Sequence, residues 1–366
     1  MFNKTKPKID NFFYIYFILI LYLIFNLTLQ APFQDNNKFW RFIPILSFGI
    51  LIFSNTKNFP IEKFKKFSII SCLIYIIICL IKTFFFYENH SFLPFGNGED
   101  INQILSKDRP YVGFYIIINS ILVFSEILKN KKNRIINIFI FFIFFSFLLL
   151  IVARLSILSF LIVVLIYLVF YSKINLNNKL IILSSLILIF TLFVCFNPKI
   201  KERVIYQSTE SFIDNEPRFV IWQSVFNILN NKDYSYLLGY GNSNLIEEYL
   251  VINYEKNIEN PEKREYFLHD RFDTHSQYFY FLLLGGFPAL LLFSIYNIYS
   301  LYLFRKDFVS FSIFISFILF FLVENVFSNQ LGCYLFLVYI TYIFYYNKRT
   351  NFISNYGNDK VNKNYE

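Results

Sequence analysis

Charge is scarce in this 366-residue chain: Asp, Glu, Lys and Arg make up 16%, against 56% hydrophobic residues that include 51 Phe and 28 Tyr. A soluble chain of this length would need two domains and far more charge, so a water-soluble globule is excluded. Cysteine is nearly missing too. Cys72, Cys79, Cys195 and Cys333 all lie in apolar blocks with no CxxC and no nearby His. They read as small core residues, and neither a disulfide framework nor a thiolate metal site is expected. There is no DxD motif, no clustered His/Cys ligand set and no βαβ context for a nucleotide fingerprint. Internal repeats that would mark an inverted-topology transporter are not seen. No small-residue cleavage site follows the first apolar block, so it is expected to be a retained span.

What the chain does have is apolar blocks of about 16–20 residues, the length that crosses ~30 Å of hydrocarbon at 1.5 Å per residue. The expected class is an all-α polytopic membrane protein with about ten transmembrane helices: 11–29, 40–54, 68–86, 111–128, 135–152, 156–172, 179–196, 285–303, 309–325 and 331–346. The net charge of +9 sits mainly in every second short connection: Lys4, Lys6 and Lys8; Lys57, Lys63, Lys65 and Lys66; Lys129, Lys131, Lys132 and Arg134; Lys173 and Lys179; Arg305 and Lys306; Lys348 and Arg349. That alternation reports orientation rather than nucleic-acid binding, and it places both termini in the cytoplasm.

The opposite side carries one long insertion. The chain is expected to divide into an N-terminal bundle of about seven spans (1–196), a large loop on the side opposite the cytoplasm (197–274), C-terminal transmembrane helices (275–346) and a cytoplasmic tail (347–366). Long loops that are not low in complexity are usually functional. Within this one, RFVIWQSVFNIL (218–229) has apolar residues at helical spacing, so a partly helical cap is expected.

Chemistry-bearing residues gather on the same side. Arg154 is the lone charge in FLLLIVARLSILSF; it reads either as a boundary arginine reaching water or as a fixed cation facing an anion. Asn215 or Glu216 is a candidate helix cap, Pro217 suits the first turn and Arg218 follows; its spacing puts it on one face with Trp222, which by itself fits simple packing or a solvated charge. Gly239 and Gly241 in LLGYGNSN permit positive φ and close backbone approach, which by itself favours an ordinary turn. His275 stands where the insertion re-enters the membrane, with Asp273 or Thr274 as possible caps and His269 and Arg271 nearby. A lone interfacial His is more often structural, yet an imidazole is a natural general base for a hydroxyl. Glu324 ends the ninth span and is placed to pair with an arginine or to orient His275; its alternative is a carboxylate in the headgroup zone.

In order and spacing, VARLSILSF, RFVIW with LLGYGNSN, THSQYFYFLLLGGFPALLLF and ENVFSNQLGCYLF resemble the O-antigen ligase and polymerase superfamily over about residues 135–346. Where that family commonly has Asn after the His, this chain has Ser276. The resemblance implies an inner-membrane glycosyltransferase acting on the periplasmic face without metal or other cofactor. Its donor would be a glycan on undecaprenyl diphosphate, and its acceptor a glycan or lipid A core, with configuration inverted. Carried over residue by residue, His275, Arg218 and Arg154 are catalytic, with Arg271, Glu324, Trp222, Gly239 and Gly241 as candidate substrate contacts. A flippase for the same lipid-linked sugar is the alternative, and a non-enzymatic scaffold a third. The flippase predicts polar residues through the depth of several spans. Here Lys82 and Glu126 are the exceptions, both near span ends.

Overall fold

The computed structural model describes residues 11–30, 59–94, 98–129, 131–196 and 216–362. Within them the chain is helical, with an isolated bridge between Ser235 and Gly239 and no strand. A helix satisfies its own backbone polar groups, which hydrocarbon demands. Five helices are long and apolar enough to cross a membrane: Phe12–Gln30, Ile61–His90, Arg109–Lys129, Arg154–Tyr171 and Gln277–Phe304. Two shorter apolar helices, Arg134–Leu150 and Phe308–Val323, coincide with further expected spans. The expected span at 40–54 lies outside the described residues, as does 197–215 of the large insertion.

The helices fall into two compact units, one built from 1–59, 209–305 and 317–348, the other from 60–208, 306–316 and 349–366. Numbered along the chain, α1 is Asn11–Gln30, α2 Ile61–His90, α3 Gly98–Leu105, α4 Arg109–Lys129, α5 Arg134–Leu150, α6 Arg154–Ile166 and α7 Leu176–Phe196. The insertion forms α8 (Pro217–Leu229), α9 (Ser243–Asn257) and α10 (Pro261–Asp270), so it is partly helical as expected. Then come α11 (Gln277–Phe304), α12 (Phe308–Val323) and α13 (Gln330–Asn362).

In the second unit α4 is the central helix, packing on α2, α3, α5 and α6. Its apolar window is 72% buried, against 22% for α2, whose Phe67, Ile74, Ile77 and Phe84 face outward. Such a continuous apolar surface suits lipid rather than water. Gly113 of α4 lies so close to the α6 start that an added Cβ would sit 2.8 Å from Ala153 Cβ. Lys65, which the sequence places among the connecting-loop cations, is instead on α2 and buried, bonded to Glu62 at 2.7 Å and to Glu126. Cys195 also departs from expectation: it is exposed, whereas Cys72, Cys79 and Cys333 are buried.

The first unit is built around α11, which packs along α1. Its core is a mesh of aromatic rings, with Phe293 meeting Phe281, Phe321 and Phe327 at centroid distances of 4.9, 5.1 and 6.1 Å. Edge-to-face pairs at these separations add to the burial of large apolar area.

α11 begins at Gln277, eight residues before the expected span at 285–303, and it is broken. Gly286 has φ 67° and ψ −168°, outside the helical region, with Pro288 just beyond. A break at membrane depth frees carbonyls that need donors. Here each is met. Tyr234 Oη donates to Leu282 O at 2.8 Å. The backbone N–H groups of Tyr240 and Gly241 donate to Leu283 O and Leu284 O at 2.7 and 3.0 Å. Tyr22 Oη donates to Gly285 O at 2.7 Å, and in return Phe287 N–H donates to Tyr236 O at 2.7 Å. The loop 234–241 thus lies along the broken helix like an extra strand. Asn26 Nδ2 donates to Leu238 O at 2.7 Å and Gln30 Nε2 to the same carbonyl at 3.0 Å, so one face of α1 clamps the loop. Asn26→Leu removes one of the two donors to Leu238 O and the Asn26 Oδ1 that accepts from Gln30 Nε2. The expected cost is about 1–3 kcal/mol, to be read as a lower midpoint in thermal aggregation of the detergent-solubilised protein.

Candidate active site

The start of α8 places Arg218. Glu216 occupies the N-cap position and Pro217 the first helical position, where its missing N–H costs nothing. The Glu216 carboxylate does not cap the helix; it accepts from Arg218 Nη1 at 2.6 Å. Arg218 Nη2 donates to Glu324 Oε1 at 2.9 Å and Nε to Val323 O at 3.3 Å. Burial works against the guanidinium charge, and the Glu324 and Glu216 carboxylates more than restore it, so the Arg218 pKa is raised. Of the five N–H donors of a guanidinium, three are used by these partners among the described residues.

Glu324 is the centre of the arrangement. Its side chain is 6% exposed, and its second oxygen, Oε2, lies 3.5 Å from His275 Nδ1. That is an ion-pair distance; the Nδ1 geometry is not that of a well-formed hydrogen bond. Arg218, Glu324 and His275 therefore form one chain of contacts, drawn from α8, the end of α12 and the start of α11.

His275 sits on a strained backbone, with φ 42°. Left-handed φ in a residue with a side chain costs of order 1–3 kcal/mol and clusters at functional sites. The strain is held from both sides. Asp273 Oδ1 accepts the His275 N–H at 3.0 Å. Asn325 Oδ1 accepts the Ser276 N–H at 3.0 Å, and Asn325 Nδ2 donates to Thr274 Oγ1 at 2.9 Å. Ser276, rather than Asp273 or Thr274, is the N-cap residue of α11, and its hydroxyl makes no cap bond. Gln277 reaches across as well, its Oε1 accepting the Phe327 N–H at 2.8 Å. Burial pulls the imidazole pKa down, but Glu324 and Asp273 outweigh burial and the Arg218 charge, so the His275 pKa is raised.

The other sequence-predicted residues lie in different surroundings. Trp222 packs edge-on against Phe279 at 5.9 Å, and its Nε1 is buried without a hydrogen-bond partner. Arg271 is the left-handed C-cap of α10, with Nη1 3.7 Å from Glu247 Oε1. Gly239 and Gly241 have φ 65° and 59°; a Cβ on Gly239 would come within 2.5 Å of Leu283 O, and one on Gly241 within 2.5 Å of Gln30 Cβ. Their space is filled by the broken helix and by α1. His269 is exposed, bonded to Asp270 at 2.9 Å. Arg154 belongs to the second unit, where it opens α6 after the buried turn Ile151–Val152–Ala153. In that turn Val152 has φ 52°, an outlier for a β-branched residue. Asn325, which follows Glu324 in the sequence as a polar group needing a partner, is the brace, and its partners Thr274 and Ser276 were not read from the sequence. The clue available was its position beside Glu324 at the end of an apolar block.

Residues 139–294 match the family model described as O-antigen ligase. This segment, less than half of the chain, is similar to the O-antigen ligase family. Arg154, Arg218, Trp222, Gly239, Gly241, Arg271 and His275 all fall inside the match, while Glu324 and Asn325 lie beyond its end. The superfamily's activity is of the glycan ligase or polymerase type, carried out by multi-pass membrane proteins, and the apolar helices here accord with that. No curated protein and no solved structure matches. Among the described residues no group of three or more His, Cys, Asp and Glu is placed to hold a metal ion.

Proposed function

We propose that this protein is an inner-membrane glycosyltransferase. It moves a glycan from undecaprenyl diphosphate to an acceptor sugar hydroxyl at the periplasmic face, with inversion. The single observation that carries this reading is the contact chain from Arg218 through buried Glu324 to His275. A carboxylate on Nδ1 fixes the imidazole and raises its basicity, leaving Nε2 to take the proton of an acceptor hydroxyl. The deprotonated oxygen attacks the anomeric carbon as the bond to lipid diphosphate breaks. Arg218 binds the departing diphosphate and stabilises its charge. The two topological assignments that go with this reading are a periplasmic 197–274 insertion and cytoplasmic termini. The acceptor is either another lipid-linked glycan, as in a polymerase, or a lipid A core, as in a ligase.

Complementation separates these outcomes. In a deletion strain, loss of long chains with accumulation of lipid-linked single units indicates a polymerase. Accumulated long chains not attached to lipid A indicate a ligase. Arg218→Lys keeps one charge but loses the planar fork that holds Glu216 and Glu324 together. The expected result is glycan transfer reduced about 100-fold, at matched protein level. Near-normal transfer in that strain would remove Arg218 from the mechanism.

A further inference from the structure

Beside the His275 turn lies a recess of about 20 Å³, lined by Ser243, Glu247, Asp273, Thr274, Tyr280 and Ser328. It holds little more than one water-sized group. Tyr280 is only 6% exposed, yet its hydroxyl has no hydrogen-bond partner among the described residues. Ser328 lies near that hydroxyl without hydrogen-bond geometry. A buried phenol left without a partner costs about 1–3 kcal/mol, so a ligand that supplies one is favoured. The other polar groups say what kind. Asp273 and Glu247 are acceptors when ionised, and both repel a phosphate or diphosphate. Arg271 meets Glu247 at 3.7 Å and offsets only part of that charge. A neutral hydroxyl suits the recess, since it can donate to a carboxylate and accept from the Tyr280 Oη. Asp273 also holds the His275 backbone, so whatever fills the recess is fixed relative to the imidazole.

We propose that this recess is an acceptor-sugar subsite that takes one hydroxyl or hydroxymethyl substituent of the sugar ring and so sets which ring hydroxyl faces His275. The proposal rests on the glycosyltransferase reading above. It assigns the acceptor to the carboxylate-lined side of His275 and the lipid diphosphate to the arginine side. The residues that select the linkage are then Tyr280 and Glu247, neither of which takes part in proton transfer.

The test uses the purified full chain in detergent. Binding of a panel of methyl hexopyranosides, and of the same glycosides with the hydroxymethyl group replaced by methyl, is followed by saturation-transfer NMR. Inorganic pyrophosphate serves as the anion probe. At least one hexoside is expected to bind in the millimolar range and to weaken about 10-fold with Tyr280→Phe or Glu247→Gln, while pyrophosphate binding stays unchanged. Removing one hydroxyl of that glycoside should weaken binding to wild type more than binding to Tyr280→Phe, which keeps only the carboxylate contact. Unchanged hexoside affinity in Tyr280→Phe overturns the proposal, as does failure of every glycoside to bind or competition by pyrophosphate for the same site. Complementation keeps the two readings apart. If His275→Ala loses glycan while Tyr280→Phe makes glycan of unchanged linkage and amount, the subsite fails and the glycosyltransferase reading stands. Full glycan from His275→Ala overturns that reading instead.

Discussion

Glycan transfer by the His275→Ala protein is expected to fall by about 10²–10⁴-fold, the usual contribution of a positioned general base. The protein should still accumulate, because the substitution leaves the Asn325 brace and the Asp273 bond to the residue 275 backbone in place. Surface glycan on a gel, with membrane protein level measured alongside, checks both halves. Glu324→Gln gives a subtler signature. A base works in its neutral form, so wild-type transfer should rise with pH through the His275 pKa, which stands above the ordinary 6.5. Removing the Glu324 charge takes away part of what raises it, while burial and the Arg218 charge still pull it down. The rising limb should therefore move to lower pH, with a smaller plateau because the ring has lost its anchor. A pH profile of transfer in membranes, wild type against Glu324→Gln, tests the sign. A limb that stays in place separates Glu324 from the imidazole, and a limb that moves up reverses the electrostatic argument.

The second large effect concerns the fold rather than the chemistry. Gly286→Ala puts a Cβ within 2.7 Å of Leu237 C and Tyr236 O, on a backbone with φ 67°. Neither contact is a flexible side-chain tip, so backbone has to move. Conformational strain of about 1–3 kcal/mol is joined by loss of the bonds that loop 234–241 makes to the broken helix. The expected outcome is little folded protein in the membrane fraction. Ala289 lies on the same helix, one turn on, in helical geometry and fully buried. Ala289→Gly is a control there: it should cost only about 1 kcal/mol and leave the protein detectable. Equal abundance of Gly286→Ala and wild type would show that the break tolerates a side chain.

Much of this was legible from composition and pattern. Apolar runs at 111–128 and 156–172 gave helices within two residues of the observed ends, since burial in lipid leaves the backbone few alternatives. The Glu216–Pro217–Arg218 run marked a real helix start. Glu324 was expected to meet an arginine or His275, and it meets both. The start of α11 was not legible, because QYFYFLLL mixes Gln and Tyr with apolar residues and lowers the hydropathy of what is still helix. Nor was the use of Gly239 and Gly241 as docking points against α11, since two glycines in a loop give no hint of which backbone approaches them. Tyr22, Asn26 and Gln30, four residues apart, form a polar line on an apolar helix, and that spacing was the available sign of a partner. The partner itself could not be read, because it lies more than 200 residues away.

That distance has a consequence for how the protein is made. Tyr22 meets Gly285 across 263 positions of chain, and Asn26 meets Leu238 across 212. At ribosomal rates of about 5–20 residues per second, α1 enters the bilayer roughly ten to fifty seconds before the groups it clamps have been synthesised. During that interval the long-range partners of the Tyr22 phenol and of the Asn26 and Gln30 amides do not yet exist, and what is in place is the bond from Gln30 Nε2 to Asn26 Oδ1 within α1. The polar line of α1 is therefore completed last, when the broken helix and the loop 234–241 have both been made.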